Sequence, residues 1–199
     1  MMNLQQCQWL NEPASWQCQD NELHVTTDNK TDFWRDTWYG FQRHSGHVFG
    51  GYIDDFNLEE GFTFQFCIEG QFEQLYDQAG VMLLVDEHHW LKAGIEHSDG
   101  QATISSVLTN GCSDWAMGIF PGNPGRFWLR LTYHDGAIRL QYSTDGVTWP
   151  LLRLSPFTVG DQRIFVGAMC CSPQREGLQV RFSDFRLTSS LKKHLHDLS

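Results

Sequence analysis

The chain has 199 residues, with 24 acidic and 14 basic side chains and a formal net charge of −10. Nucleic-acid binding requires a basic surface, so this charge argues against a nucleic-acid partner. The sequence has no basic start followed by an apolar run, and no stretch approaches the roughly 18 apolar residues of a membrane span. These features predict a cytoplasmic protein without a signal peptide and without membrane contact.

Alternation of apolar and polar residues predicts β-strands along almost the whole chain. The candidate strands cover 22–28, 61–69, 78–86, 89–97, 101–109, 114–120, 126–134, 137–144, 163–171 and 177–188. Short strands separated by Asn-Gly and Asp-Gly turns are typical of a sandwich or a barrel. We therefore predict one all-β domain spanning 1–199. Its tail, 191–199, is the only segment with a helical pattern, and that helix would be short and marginal.

The segment TDFWRDTWYGF, residues 31–41, is rich in aromatic rings but has no sustained period of two, which predicts a loop. Flat rings stack well on the apolar faces of sugars. Trp34 and Tyr39 are the candidates for that role. Phe33 and Phe41 are better explained as rings that plug the open end of the sandwich.

One predicted strand places Trp90, Lys92 and Glu96 on one face and only apolar residues on the other. On an extended strand Lys92 and Glu96 lie about 13 Å apart, too far to pair directly. This face is either a solvated surface with cross-strand ion pairs or the floor of a groove, in which Gly94 leaves room for a ligand. Gln78 joins this face in only one of two hairpin registers.

A second predicted strand repeats the pattern, with Trp128 and Arg130 on one face and leucines on the other. We predict that both strands contribute to one groove, where Arg130 meets Glu96 or binds a carboxylate or hydroxyl-rich ligand. Asp114 and Trp115 follow a hairpin turn and would lie at its rim. Asp114 either satisfies backbone donors or supplies a second carboxylate to Glu96.

The cysteines and histidines form no pattern that is typical of a metal site. The six cysteines include no C-x-x-C pair and are predicted to be reduced structural thiols. The histidines of HSGH and of the adjacent pair at 88–89 lack convergent spacing. There is no glycine-rich phosphate loop and no G-x-S-x-G motif, so neither a metal nor a cofactor is predicted.

Three segments together resemble the DUF1349 family, also called the regulation of enolase protein family: TDFWRDTWYGF, DQAGVMLLVDEHHWLKAGIE and SSVLTNGCSDW. The resemblance extends over most of the chain. It implies a concanavalin A-like jelly-roll sandwich of two antiparallel sheets, one of them concave, and a loose connection with carbohydrate metabolism. The family has no agreed reaction. The positions that match its motif are Asp32, Trp34, Gln78, Lys92, Glu96, Asp114 and Trp115.

Laminarinase-type hydrolases of the same superfamily carry E-x-D-x-x-E or E-x-D-x-E on one strand, and this sequence contains neither. Because a fold does not determine a function, the missing motif weakens a hydrolase assignment. An enzyme acting on glycosides, with Glu96 as general acid or base and Asp114 as its partner, stays an alternative.

Our leading hypothesis is the binding of a saccharide or a small polar carbohydrate-related metabolite in a concave groove, with a regulatory role in carbohydrate metabolism. A third hypothesis is a regulator that binds a metabolic enzyme as its protein partner, or that acts as a homodimer. The candidate ligand-binding residues are Trp34, Tyr39, Gln78, Trp90, Lys92, Glu96, Asp114, Trp115, Trp128 and Arg130.

Overall fold

The computed structural model describes residues 2–54, 56 and 58–199. Within them the only helix is a single 3-10 turn at Leu4–Gln6, and the rest of the regular structure is β-strand. The strands are β1 (Gln8–Leu10), β2 (Ser15–Gln19), β3 (Glu22–Thr26), β4 (Phe33–Arg35), β5 (Gln42–His44), β6 (His47–Tyr52), β7 (Phe62–Gly70), β8 (Gln78–Asp86), β9 (His89–Ser98), β10 (Gln101–Asn110), β11 (Cys112–Ile119), β12 (Arg126–His134), β13 (Ala137–Ser143), β14 (Leu151–Pro156), β15 (Phe165–Cys171) and β16 (Gln179–Ser189).

Two seven-stranded antiparallel sheets make up the sandwich. The first sheet has the order β1-β6-β15-β8-β9-β10-β11, and the second has the order β14-β13-β12-β7-β16-β3-β2. Strands far apart in the sequence lie side by side in both sheets, as they do in a jelly roll. The predicted all-β sandwich of two antiparallel sheets is therefore confirmed.

The core lies between the sheets and is filled by every second residue of each strand. Leu91, Ala93 and Ile95 of β9 are at most 2% exposed, and they belong to the same apolar cluster as Leu129 and Leu131 of β12. Burying a leucine or isoleucine side chain stabilises the fold by roughly 1.5–3 kcal/mol. The core therefore fixes which residues of β9 point outward from the first sheet.

The outer face of the first sheet carries a second, smaller apolar cluster. It lies under the β4–β5 hairpin, which replaces part of the loop predicted at 31–41. Trp90 is 1% exposed in this cluster, 6.0 Å from the ring of Phe33, and its Nε1 donates to the main-chain oxygen of Glu87. The prediction that Trp90 lines a groove is wrong because the hairpin covers it. Phe33 is fully buried in the same cluster, on the outer face of the first sheet and not at the open end of the sandwich as predicted.

Trp128 and Arg130 do not share a groove with Lys92 and Glu96. They lie on β12 in the second sheet, and the leucines that alternate with them face the core, so both point outward on the opposite side of the sandwich. The Arg130 guanidinium carbon lies 3.8 Å from the centre of the Trp149 ring. The prediction of a single groove built from both strands is therefore wrong.

The tail, 191–199, forms no helix and instead folds back along the outer face of the second sheet. The Arg139 guanidinium donates to the main-chain oxygen of Asp197 at 3.0 Å. The backbone amide of Trp149 donates to the oxygen of Leu198 at 2.8 Å. These bonds give the tail a fixed position without helical hydrogen bonds of its own.

The six cysteines are all free thiols. Cys170 and Cys171 are neighbours on β15, and they point to opposite sides of the first sheet, into the core and into the outer cluster. Among the described residues no group of three or more histidine, cysteine or acidic side chains is placed to hold a metal ion. The same described residues form no helix that is long and apolar enough to cross a membrane.

Candidate functional site

A cavity of about 50 Å³ lies on the outer face of the first sheet, beside the β4–β5 hairpin. Counting its mouth, which is open to solvent, the empty space is about 380 Å³. Its polar lining consists of Asp32, Gln78, Lys92 and Glu96, and its walls are largely aromatic. The cavity therefore combines ring surfaces with a small set of convergent polar groups, the arrangement that is typical of small-molecule sites.

The strand register brings the polar residues together. Gln78 of β8 lies directly opposite Glu96 of β9, so the two side chains project from the same face. Lys92 lies opposite Val107 of β10, and Val107 lies opposite Trp115 of β11. The question of whether Gln78 joins the face of Lys92 and Glu96 is thus settled by the hairpin between β8 and β9.

Gly94 has a different role from the one that the sequence predicts. It lies opposite Gly80, and a Cβ atom added to Gly94 would come within 2.0 Å of the main-chain oxygen of Ala79. A Cβ atom on Gly80 would come within 1.7 Å of the oxygen of Ala93. The two glycines therefore allow β8 and β9 to approach closely, and Gly94 does not form part of the cavity lining.

Lys92 is the buried centre of the polar network. Its Nζ donates to Asp32 Oδ1 at 3.1 Å and to Gln78 Oε1 at 2.9 Å. The Asp32 carboxylate also accepts the backbone amide of Phe33 at 2.8 Å, which ties the network to the first residue of β4. An ammonium group has three donors, and the described residues satisfy two of them, so one remains for a ligand.

The charge of Lys92 is stabilised where it lies. Burial by itself lowers the pKa of this lysine, but the charges of Asp32 and Glu96 and the hydrogen bond to Asp32 raise it above its ordinary value. Lys92 is therefore a cation at neutral pH. It serves as a hydrogen-bond donor and does not have the lowered pKa that a nucleophilic lysine requires.

At Glu96 the effect of burial outweighs that of the neighbouring charges. Burial raises the pKa of its carboxyl group, while the charge of Lys92 and a hydrogen bond from Ser105 lower it, and burial prevails. The Ser105 hydroxyl donates to Glu96 Oε2 at 2.9 Å. A buried carboxyl group with a raised pKa is an acceptor for ligand hydroxyl groups when ionised and a donor when protonated.

Five aromatic side chains form the walls: Trp34, Tyr39, Phe41, Tyr76 and Trp115. The rings of Trp34 and Trp115 meet edge to face at 6.1 Å, and those of Tyr39 and Phe41 stack at 5.7 Å. Trp34 is 8% exposed and donates its Nε1 to the main-chain oxygen of Thr37. The 36–41 turn and the site therefore share one aromatic cluster.

Tyr76 is a site residue that the sequence analysis missed. A hydrogen bond with the Tyr39 hydroxyl, together with burial, raises the pKa of Tyr76 to about 12. Its loop is fixed by Asp77, which is fully buried and pairs with Arg175 at 2.6 Å. Tyr76 precedes β8 and has a left-handed φ of +64°, so the alternation of strand residues does not extend to it and the sequence gives no signal for its position.

Trp115 contributes a polar group as well as a ring. Its Nε1 is buried and has no hydrogen-bond partner of normal geometry within the described parts of the chain. The indole is nevertheless close enough to Glu96 to lower the pKa of that carboxyl group. A buried donor without a partner costs free energy, and a ligand acceptor would satisfy it.

Asp114 lies on the other face of β11 from Trp115, because neighbouring residues on a strand alternate. Its carboxylate is 67% exposed and pairs with Arg153 of the second sheet at 2.9 Å. Asp114 is absent from the cavity lining. The prediction that it supplies a second carboxylate to Glu96 is wrong, and the acidic side chain that does line the cavity with Glu96 is Asp32.

The structure thus separates the predicted ligand-binding residues into two sets. Six of them line the cavity: Trp34, Tyr39, Gln78, Lys92, Glu96 and Trp115. The other four lie elsewhere: Trp90 under the hairpin, Asp114 at the edge of the sandwich, and Trp128 and Arg130 on the second sheet.

The chain is similar over nearly its whole length to a known protein family and to a yeast protein. A model of the family described as "Protein of unknown function (DUF1349)" matches residues 9–190. "Regulation of enolase protein 1" of Saccharomyces cerevisiae is 52% identical over 198 residues, which cover 98% of this chain and 96% of that protein. A crystal structure of a functionally unknown protein from the same yeast has a TM-score of 0.90 at 49% identity and covers 96% of this chain and 100% of its own.

Distant structural neighbours share the fold alone. The GH43 BlXynB protein from Bacillus licheniformis has a TM-score of 0.67 at 15% identity, covering 92% of this chain and 37% of that protein. The family match and the yeast relative both extend over nearly the whole sequence, and the resemblance carried by the three motifs is confirmed. The chain belongs to the DUF1349 family.

Proposed function

We propose that this protein is a cytoplasmic binding protein for a saccharide or a small polar carbohydrate-related metabolite, held in the cavity on the outer face of the first sheet. The observation that carries the proposal is the convergence of Lys92, Gln78 and Glu96 on one aromatic-walled cavity. Rings of this kind stack on apolar sugar faces, while the charged groups bind hydroxyl groups.

The cavity's dimensions define how such a ligand enters. Its deep part, about 50 Å³, is far below the roughly 300–1,000 Å³ of ordinary small-molecule pockets, whereas the whole space with its mouth reaches about 380 Å³. A hydroxyl or hydroxymethyl group of the ligand would occupy the deep part. The body of the ligand would lie against Tyr39, Tyr76 and Trp115 at the mouth.

Each polar group then has a defined task. The third donor of Lys92 Nζ and the unpartnered Nε1 of Trp115 donate to ligand oxygens, and the Glu96 carboxyl group accepts from a hydroxyl group. Asp32 keeps Lys92 charged and oriented and needs no ligand contact of its own. This division of tasks is that of a binding site and requires no bond to be broken.

The test is calorimetric titration with glucose, xylose, glucose 6-phosphate and gluconate. We expect at least one of them to bind, and Glu96→Gln to weaken that binding by roughly 10- to 150-fold, the equivalent of about 1.5–3 kcal/mol for a hydrogen bond to a charged group. Glu87→Gln is the matched control, because its side chain is 63% exposed in the β8–β9 turn. Absence of binding by all four compounds, or equal affinity of Glu96→Gln and wild type, would overturn the proposal.

We also propose a second function, the regulation of a metabolic enzyme through direct contact. Two observations support it: the name of the yeast relative, and apolar side chains exposed outside the cavity. Ile119 on β11 is 71% exposed and Leu154 on β14 is 51% exposed, and both strands are sheet edges. Such edges also offer a second copy of this chain a place to pair.

Adding the purified protein to enolase and following enolase turnover tests this second function. We expect a concentration-dependent change in rate that Ile119→Lys reduces, while sedimentation of the protein alone reports a homodimer. No change in rate at any concentration, together with a monomer in both variants, would contradict regulation by contact at this edge.

A further inference from the structure

Trp38 is the most exposed large apolar side chain of the described residues, at 92%. The turn that carries Trp38 has a defined, hydrogen-bonded conformation. This turn is closed by hydrogen bonds from the Asp36 amide to the Phe41 oxygen at 2.9 Å and from the Gly40 amide to the Asp36 oxygen at 2.8 Å. The φ angle of Trp38 is +66°, a left-handed conformation that costs energy for a bulky residue. The fold therefore holds this indole in solvent.

The exposed indole borders a second depression next to the cavity. This outer groove has a volume of about 300 Å³ and is lined by Trp34, Thr37, Trp38, Tyr39 and Trp115. Trp34, Tyr39 and Trp115 also line the cavity, so the two spaces share three ring walls. The outer groove and the cavity therefore lie next to each other around these rings.

We propose that the outer groove is a second subsite and that the ligand is a chain of at least two linked sugar units. The terminal unit places its end group in the cavity, and the next unit stacks on Trp38. The inference rests on the proposed function and names its ligand class. It follows from size, because the deep cavity holds only an end group, and from surface, because the adjoining groove is walled by rings.

A protein partner fits this groove less well. A standard protein interface buries about 800 Å² on each partner. The outer groove is instead a short, ring-lined depression of small-molecule dimensions that shares three lining residues with the cavity. A linear ligand that extends over both spaces would contact Lys92 and Glu96 at one end and Trp38 at the other.

Titration of glucose against cellobiose and maltose, and of xylose against xylobiose, tests the two-subsite arrangement. We expect a disaccharide to bind at least about tenfold more tightly than its monosaccharide. Trp38→Ala should abolish that gain and leave monosaccharide affinity unchanged, and Trp38→Phe, which keeps a ring, should retain most of it. Because Trp38 is exposed, both variants should unfold at the wild-type temperature.

The outcomes separate this inference from the function on which it rests. If a monosaccharide binds and depends on Glu96, but the second sugar unit adds nothing or its gain survives Trp38→Ala, the outer subsite is refuted and the proposed function stands. If no sugar of either length binds, both are refuted. A disaccharide gain that disappears in Trp38→Ala supports both.

Discussion

Two strands of this protein carry the same local pattern, a tryptophan followed two residues later by a cation, and the structure uses them differently. On β9 the cation is Lys92, which faces an open cavity with Asp32 and Gln78 as its partners. On β12 it is Arg130, whose outward face is closed by Trp149 and the chain's own tail. The pattern on a single strand therefore indicates an outward polar face, and what covers that face decides whether a ligand can reach it.

Lys92 and Arg130 also differ in their electrostatic environments. Acidic neighbours raise the pKa of Lys92 despite its burial. Burial, together with the neighbouring guanidinium groups of Arg139 and Arg186, lowers the pKa of Arg130 to about 10. Lys92 thus belongs to a network with acceptors, whereas Arg130 is held by main-chain oxygen, an amide and a ring. These environments support the proposal of a binding site on the first face and a structural role for the second.

The largest expected effect is that of Lys92→Met on stability. The substitution leaves the Asp32 carboxylate without its buried partner, and breaking such a pair typically costs about 3–5 kcal/mol. Chemical denaturation should therefore give a free energy of unfolding lower by about that amount. Lys192→Met, at an exposed position in the tail, should change it by less than about 0.5 kcal/mol.

A second substitution separates the pair from the site as a whole. Asp32→Asn in the Lys92→Met background removes the stranded charge, so part of the lost stability should return. Equal stability of the single and double variants would show that Asp32 is not the partner that Lys92 needs.

Arg130→Met should have the next largest effect, on the opposite face. It removes a stacked cation from Trp149 and the hydrogen bonds to Gln65 and to the main-chain oxygen of Ser199. A loss of about 2–3 kcal/mol in the free energy of unfolding is expected, since these are charged donors. Titration with the saccharides used for Glu96→Gln should show unchanged affinity, and a loss of affinity with intact stability would reverse our assignment of the two faces.

The smallest expected effect is in the pH dependence of stability. Because the folded state raises the pKa of Glu96 above its ordinary 4.5, it binds more protons than the unfolded chain over the window from that value up to the folded pKa. The free energy of unfolding contributed by Glu96 therefore falls as pH rises through this window. Denaturation at several pH values should show that the free energy of unfolding of wild type, relative to that of Glu96→Gln, falls across this window, and parallel curves would refute it.

The sequence predicts the site as far as strand periodicity extends. Lys92 and Glu96 share a face because they are separated by an even number of residues, and the apolar alternation of Leu91, Ala93 and Ile95 determines which face is outward. Asp114 and Trp115 are adjacent on a strand, so the same rule excludes a site that uses both side chains. That conclusion was within reach of the sequence and was missed.

The rest of the site depends on contacts between distant parts of the chain. Which sheet β12 joins is decided by pairing with β7 and β13, so the strand itself gives no indication that Arg130 lies opposite Lys92. The covering of Trp90 depends on a hairpin that begins near Phe33, more than 50 residues earlier in the sequence. The family resemblance points to Asp32, but the sequence does not indicate that this carboxylate accepts a hydrogen bond from Lys92.

The most direct test of the account locates a bound saccharide by the indole N–H signals of ¹⁵N-labelled protein, using the tightest binder among the titrated sugars. Our account predicts that the signals of Trp34 and Trp115, whose rings line the cavity, shift on binding. The signals of Trp128 and Trp149, on the outer face of the second sheet, should stay in place. Shifts confined to Trp128 and Trp149, or no shift of any indole at saturating sugar, would contradict the central claim.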